Sequence, residues 1–261
     1  MPDFPIVDTH VHLYDPRRLS YPWMKQTPEL DRPHLPNHYV RTSAGVDVQG
    51  IVFVEVDAAP ADQSAEAHFV QEQAKLEPRL KAMVASIPLE LGAAAEPHLI
   101  DYAKLPLARG VRRLIERHHQ EPGWALAEDF VTGVKLLPKF NFTFDLCLFH
   151  PQLAEVTELV RRCPEVNFVV DHIAKPGIRA GLRDPGQKTC ANWPSSRTSG
   201  ARYPAWLRRP IAQTGPRVLS LHTSHTPSTA SVLGACCSEA IGLSRSLRRA
   251  TGAGLKWLMR L

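Results

Sequence analysis

Two histidines separated by a single residue follow the first apolar segment of the chain. Ile6 and Val7 predict a buried strand, and His10 and His12 stand at its end. Because the side chains of a strand alternate between two faces, both imidazoles are predicted to point to the same side. Two imidazoles in this arrangement can hold one divalent metal ion, such as zinc, or bind an oxyanion. Two unrelated histidines at the end of a strand are the alternative interpretation.

A third histidine and a pair of arginines stand on later strands. His172 ends the apolar run 167–172, and Arg112 and Arg113 lie within the run 110–114. By the same alternation, one arginine points to the side of the histidines, where a guanidinium can bind a substrate carboxylate or a polarised carbonyl. A core or capping histidine and a surface arginine are the alternatives.

Two further side chains are weaker candidates for metal ligands. Glu55 stands on the predicted second strand, and His150 follows the fifth. A carboxylate oxygen and an imidazole nitrogen both suit zinc. His150 is equally well explained as a residue that shapes the turn before the next helix.

Short apolar runs alternate with segments of helical character along residues 1–184. The predicted strands are 6–10, 51–56, 80–87, 110–114, 143–148 and 167–172. The predicted helices are 36–45, 63–76, 92–102, 128–137 and 152–162. Regular alternation favours a parallel α/β sheet, and the lack of a glycine-rich turn after the first strand favours a (β/α)8 barrel over a doubly wound sheet. Active sites of such barrels lie at the carboxyl ends of the strands, where the three histidines fall.

Length and composition describe a chain that can bury a sizeable core. Its 261 residues, 44% of them hydrophobic, match the usual size of one (β/α)8 barrel. No apolar run reaches the roughly 18 residues of a membrane helix, and we expect no secretory signal. The five cysteines lack zinc-binding spacing. We therefore expect a cytoplasmic protein with a small-molecule substrate and neither a membrane nor a specific nucleic-acid partner.

The charge of the chain changes abruptly after Asp184. Beyond this residue there are eleven lysines and arginines and a single acid, Glu239, whereas the preceding part holds 20 basic and 25 acidic residues. A basic segment of this kind can bind polyanions, but its arginines follow no helical or strand period. A naturally divergent tail, an unrelated basic domain and a shifted reading frame all account for the change.

The motifs taken together resemble the amidohydrolase-related family of TIM-barrel hydrolases, in the branch of the sugar-acid lactonases and pyrone-dicarboxylate lactonase. The resemblance covers residues 3–185 and is carried by the segments 7–12, 20–23, 110–113, 144–147, 150–152 and 170–176. It implies a (β/α)8 barrel in which water attacks the ring carbonyl of a lactone.

The resemblance also implies roles for individual residues. His10, His12 and His172 line the site, where they hold a divalent metal in some members and act without one in others. Either arginine of the pair at 112 and 113 anchors the substrate. Tyr21 or Trp23, on the loop after the first strand, shapes the pocket.

The chain departs from this family where strand eight is expected. The family carries an aspartate there, usually within Gly-Ser-Asp-Trp-Pro, but no aspartate follows Asp184. A one-base shift near Pro185 permits that motif across residues 236–243, given free choice of synonymous codons. We therefore expect residues 1–185 to form six βα units of an incomplete barrel, and residues 186–261 to form a basic, poorly ordered tail. Such a chain is a hydrolase of doubtful activity or a non-catalytic remnant that binds a small molecule or metal.

Overall fold

The computed structural model describes residues 4–175, which contain every predicted strand and the five helices whose bounds were predicted. The expectations for the basic tail after Pro185 lie outside the described residues. The described chain divides into two compact units, the first ending at Ala82 and the second beginning at Met83.

Six strands and five α-helices alternate along this part of the chain. The strands are β1 (Ile6–Val11), β2 (Val48–Val54), β3 (Leu80–Ser86), β4 (Ala108–Leu114), β5 (Thr143–Cys147) and β6 (Asn167–Val170). The helices are α1 (Pro36–Thr42), α2 (Gln63–Gln73), α3 (Glu96–Ala103), α4 (Glu128–Val134) and α5 (Leu153–Arg162). The strand order follows the chain from β1 to β6, and the pairs β1–β2, β3–β4, β4–β5 and β5–β6 are parallel. All six predicted strands and five of the six predicted βα units are thus present, while the helix after β6 falls outside the described residues.

In the first unit, β1 and β2 bury their apolar side chains in one core. Val11, Phe53 and Val54 are fully buried there, together with Phe69 and Val70 of α2. The three strand residues are β-branched or aromatic, and such side chains suit a strand that is covered on both faces. This core fixes the carboxyl end of β1, from which the two nearby histidines project.

In the second unit, aromatic rings tie β5 to its neighbours. The Phe144 ring of β5 lies 6.0 Å from the Phe130 ring of α4 and 5.9 Å from the Phe168 ring of β6, between ring centroids. Helix α5 adds an apolar stripe in which Leu153, Val156, Thr157, Leu159 and Val160 are buried, the spacing expected of an amphipathic helix.

The third predicted helix, 92–102, begins later than the prediction. Gly92 has φ 60° and ψ −129°, a conformation that interrupts a helix, so residues Leu89–Ala95 form 3-10 turns and α3 starts at Glu96. A Cβ at Gly133 would lie 2.0 Å from the Leu89 carbonyl oxygen. This contact shows that α4 packs directly on the backbone of those turns.

The predicted strand 167–172 is shorter in the structure. It ends at Val170, and residues Asp171–Ala174 form a 3-10 turn. His172 has φ 52°, a left-handed conformation that is not found in β-strands.

Among the described residues, no helix is long and apolar enough to cross a membrane.

Candidate functional site

His10 and His12 lie side by side at the carboxyl end of β1. Their ring centroids are 5.0 Å apart and the ring planes are nearly perpendicular, at 89°. His10 is buried and His12 is partly buried. The alternation expected of a strand therefore brings the two imidazoles to one side, as predicted.

One hydrogen bond defines the tautomer of His12. Its Nδ1 lies 2.8 Å from the carbonyl oxygen of Val54, at the end of β2. A carbonyl oxygen only accepts, so Nδ1 carries the proton and the neutral ring has its lone pair on Nε2. An imidazole oriented by a backbone carbonyl in this way is the usual form of a metal-binding histidine.

The buried carboxylate of Asp8 forms hydrogen bonds next to the same end of β1. Its carboxylate accepts a hydrogen bond from the Tyr39 hydroxyl at 3.0 Å and one from the His10 backbone N–H at 3.3 Å. Burial raises the pKa of Asp8 to about 6, although both hydrogen bonds lower it. Asp8 thus links β1 to α1 and orients the backbone that carries His10. No pattern in the sequence predicts this role for Asp8.

The first unit also contains the predicted loop residues and Glu55. Tyr21 is buried, and the indole N–H of Trp23 donates to the Val56 carbonyl at 2.9 Å, which ties the loop after β1 to the chain just beyond β2. Glu55 is buried directly after β2, and its carboxylate accepts a hydrogen bond from the Asp57 backbone N–H at 2.6 Å. Trp23, on the loop after β1, therefore contacts the segment after β2 on which Glu55 lies.

The second unit buries three ionisable side chains beside one another. Arg112 of β4 forms an ion pair with Asp171, with Nη1 and Oδ2 3.0 Å apart, and both side chains are about 95% buried. Asp145 of β5 lies opposite Arg112 in the strand register and is also buried. Burial first, and the neighbouring Asp171 second, raise the pKa of Asp145 well above its ordinary value, while Arg112 and Thr143 oppose the change. The surroundings of Asp145 therefore favour the neutral form of its carboxyl group beside the Arg112–Asp171 ion pair.

Arg113 points to the other face of β4, as strand alternation requires. Its guanidinium donates to the Ser86 hydroxyl at 2.9 Å and forms an ion pair with Glu90. Arg112 contacts Asp171, and Arg113 contacts the 3-10 turns before α3. That one arginine of this pair faces the histidines stays a prediction.

His172 lies one residue after Asp171 and is partly exposed. The turn that carries it is followed by Lys175, whose ammonium forms an ion pair with Glu116. Glu116 also accepts a hydrogen bond from the thiol of Cys147 at 3.5 Å. Burial raises the pKa of this thiol to about 12, so Cys147 is a neutral donor and not a nucleophile.

Asp145, Asp171, Glu116 and Lys175 were not among the predicted site residues. The sequence does single out one of them: Asp145 is a charged residue inside the apolar run of β5. In the sheet it lies opposite Arg112 of β4. The predicted ligand candidate His150 starts a 3-10 turn between β5 and α5, consistent with the turn-shaping alternative. That His10, His12 and His172 share one site stays a prediction, as do the substrate-binding roles of the arginines, Tyr21 and Trp23.

Comparisons with known proteins agree on one family. The model of the amidohydrolase family matches residues 7–233. L-rhamnono-gamma-lactonase of Scheffersomyces stipitis is 23% identical over 67% of this chain and 62% of its own length. L-fucono-1,5-lactonase of Burkholderia multivorans is 27% identical over 68% of this chain and 58% of its own length. The chain therefore spans less than two thirds of either lactonase.

A solved structure shows the same fold. The amidohydrolase from Burkholderia multivorans with bound zinc superimposes with a TM-score of 0.64 and 22% identity, over 75% of this chain and 68% of that one. This likeness confirms the predicted (β/α)8-type fold, of which the described residues contain the first six strands.

Proposed function

Since the chain belongs to the amidohydrolase family, we propose that it is a hydrolase whose substrate is a lactone and whose reaction is attack of water on the ring carbonyl. The observation that carries the proposal is the pair of adjacent imidazoles at the end of β1, with His12 held in the tautomer suited to a ligand. The two lactonases that resemble the chain support the choice of substrate.

We propose His10, His12 and His172 as the residues that hold a divalent metal. The donor set fits zinc, because three imidazole nitrogens with one open position are a common catalytic arrangement. When bound, the metal would act as a Lewis acid on the lactone carbonyl. Glu55, buried directly after β2, is the candidate for a further ligand.

The charges of the second unit favour a neutral, hydroxyl-rich lactone over a dicarboxylate. Arg112 is paired with Asp171, Arg113 with Glu90 and Lys175 with Glu116. A substrate carboxylate would have to compete with an existing carboxylate partner at each of these cations. At Arg112, whose ion pair is buried, breaking the pair costs about 3–5 kcal/mol. A sugar hydroxyl can instead accept or donate a hydrogen bond without separating the pairs.

The proposed reaction needs a base to take a proton from the attacking water. The family places an aspartate on strand eight for this step, and this chain has no aspartate after Asp184. Loss of a positioned base reduces the rate by roughly 10²–10⁴-fold. The same observation favours the competing proposal, a non-catalytic protein that binds a metal or small molecule.

A hydrolysis assay separates these proposals. The full chain and a version with the frame restored near Pro185 are each given L-rhamnono-γ-lactone, L-fucono-1,5-lactone and 2-pyrone-4,6-dicarboxylate, and proton release is followed in a pH-stat. We expect slow or no turnover by the chain as it stands, and turnover of a sugar lactone by the restored version.

The assay includes a matched pair of histidine variants in the restored version. His10→Gln should abolish turnover, whereas His98→Gln, on the exposed face of α3, should leave it unchanged. Turnover of the dicarboxylate alone would refute the substrate class. A restored version that binds lactones without hydrolysing any of the three would favour the non-catalytic alternative.

A further inference from the structure

Three residues in the turn after β6 have a left-handed backbone conformation although none of them is glycine. His172 has φ 52°, Ala174 has φ 57° and Lys175 has φ 47°. Residues with a Cβ rarely adopt this conformation, and they keep it only where the surrounding structure holds it in place. The conformation of the turn therefore depends on contacts from outside the turn.

Lys175 supplies such a contact at the end of the turn. Its ammonium forms an ion pair with Glu116 and lies 5.4 Å from the centroid of the Phe149 ring. Its backbone N–H donates to the His172 carbonyl at 2.9 Å, which closes the turn. The side chain of Lys175 thus joins the turn to the segments that follow β4 and β5.

The partners of Lys175 are themselves held by hydrogen bonds. Gln152 donates to the Ile115 carbonyl at 2.8 Å and accepts from the Phe149 backbone N–H at 3.0 Å. Cys147 donates to the carboxylate of Glu116. Glu116 and Phe149 therefore form a fixed support to which the turn is attached.

We propose that Lys175 and Glu116 are positioning residues, whose ion pair holds the left-handed turn and thereby sets the direction of the His172 imidazole. Neither residue touches the substrate in this role. The inference rests on the proposed function only in that it makes His172 a site residue. The placement of His172 by the ion pair can be measured without substrate or metal.

The test uses the full chain and follows the His172 ring signals by NMR, identified by their loss in His172→Gln. Lys175→Met keeps the aliphatic stem over Phe149 but removes the charge, and Glu116→Gln is nearly isosteric. The matched control is Lys104→Met, because Lys104 forms a 2.6 Å ion pair with Asp101 on the surface of the same unit.

We expect the His172 signals to shift and broaden in Lys175→Met and in Glu116→Gln, and to keep their position in Lys104→Met. Lys175→Arg should retain the native signals, since it keeps the charge and reach. In an active, frame-restored protein, each of the first two variants should lower kcat by roughly 10- to 100-fold with little change in KM.

Two outcomes are decisive against the inference. Unchanged His172 signals in Glu116→Gln would overturn it, whatever happens to stability, because that variant removes the ion pair with the least disturbance. Equal losses in Lys175→Arg and Lys175→Met would also overturn it, since the charge would then not matter. Absence of lactone turnover in the parent protein would refute the proposed function alone, and the NMR result would still decide this inference.

Discussion

At the scale of single residues, the second unit depends on three buried ionisable groups. Asp171 is the ion-pair partner of Arg112, whereas burial and the neighbouring Asp171 raise the pKa of Asp145. The surroundings therefore favour the charged form of one carboxyl group and the neutral form of the other. Sequence alone located Arg112 and recognised the segments that contain both aspartates. It could not assign the ionisation states, because these depend on contacts between β4, β5 and the turn after β6.

This difference predicts unequal effects of two conservative substitutions. Asp171→Asn leaves the Arg112 guanidinium buried without its charge partner and should reduce the free energy of unfolding by about 3–5 kcal/mol. Asp145→Asn removes a carboxyl group whose charged form is disfavoured by burial, and should leave the free energy of unfolding unchanged or raise it. Urea unfolding at pH 7 measures both, and similar losses in the two variants would contradict the assignment.

The raised pKa of Asp145 also predicts the sign of a pH dependence. The folded protein keeps this proton at pH values where the unfolded chain, with its ordinary value of 3.8, has lost it. The folded state then binds more protons, so this group lowers the free energy of unfolding as the pH rises above about 4. Asp145→Asn lacks the titrating proton and should gain stability relative to the wild type as the pH rises above about 4. Parallel stability curves for the two proteins would show that Asp145 titrates normally.

At the scale of elements, apolar runs predicted the strands, and the errors lie at their ends. The predicted run 167–172 gave the right strand, but His172 belongs to a turn whose left-handed conformation no local pattern announces. The residues that hold this turn, Glu116 and Lys175, are 59 positions apart in the chain. Likewise, α3 starts only after Gly92, whose positive φ interrupts the helix. A glycine in the sequence permits this conformation but does not predict it.

The close approach of α4 to the backbone of the preceding turns can be tested at one glycine. In Gly133→Ala the new methyl group would lie 2.0 Å from the Leu89 carbonyl oxygen, so the helix must shift. We expect a loss of about 1–3 kcal/mol of unfolding free energy, as for other overpacked sites.

The matched control for this substitution is Gly50→Ala in β2. Its new Cβ would meet Val7 at 3.4 Å, an ordinary contact, and alanine is favoured over glycine inside a strand. This variant should be neutral or slightly stabilised in urea. A Gly133→Ala protein as stable as the control would mean that α4 does not pack on the Leu89 backbone.

At the scale of the whole molecule, the order of six parallel strands agrees with the barrel type predicted from the alternation of strands and helices. The family model extends to residue 233, beyond the predicted boundary at residue 185. The reading-frame hypothesis stays a prediction, which the nucleotide sequence around codons 183–190 tests. An added base that restores Gly-Ser-Asp-Trp-Pro would support it, and an unbroken frame in independent isolates would refute it.

The central proposal is that His10, His12 and His172, from segments far apart in the chain, hold one divalent metal. Zinc binding to the full chain, measured by competition with a fluorescent chelator at pH 7.5, tests this most directly. We expect one zinc ion per chain. The affinity for zinc should fall by about 10- to 100-fold in His10→Gln, His12→Gln and His172→Gln. The exposed variant His98→Gln should keep the native affinity. Native zinc affinity in either His10→Gln or His172→Gln would contradict the claim.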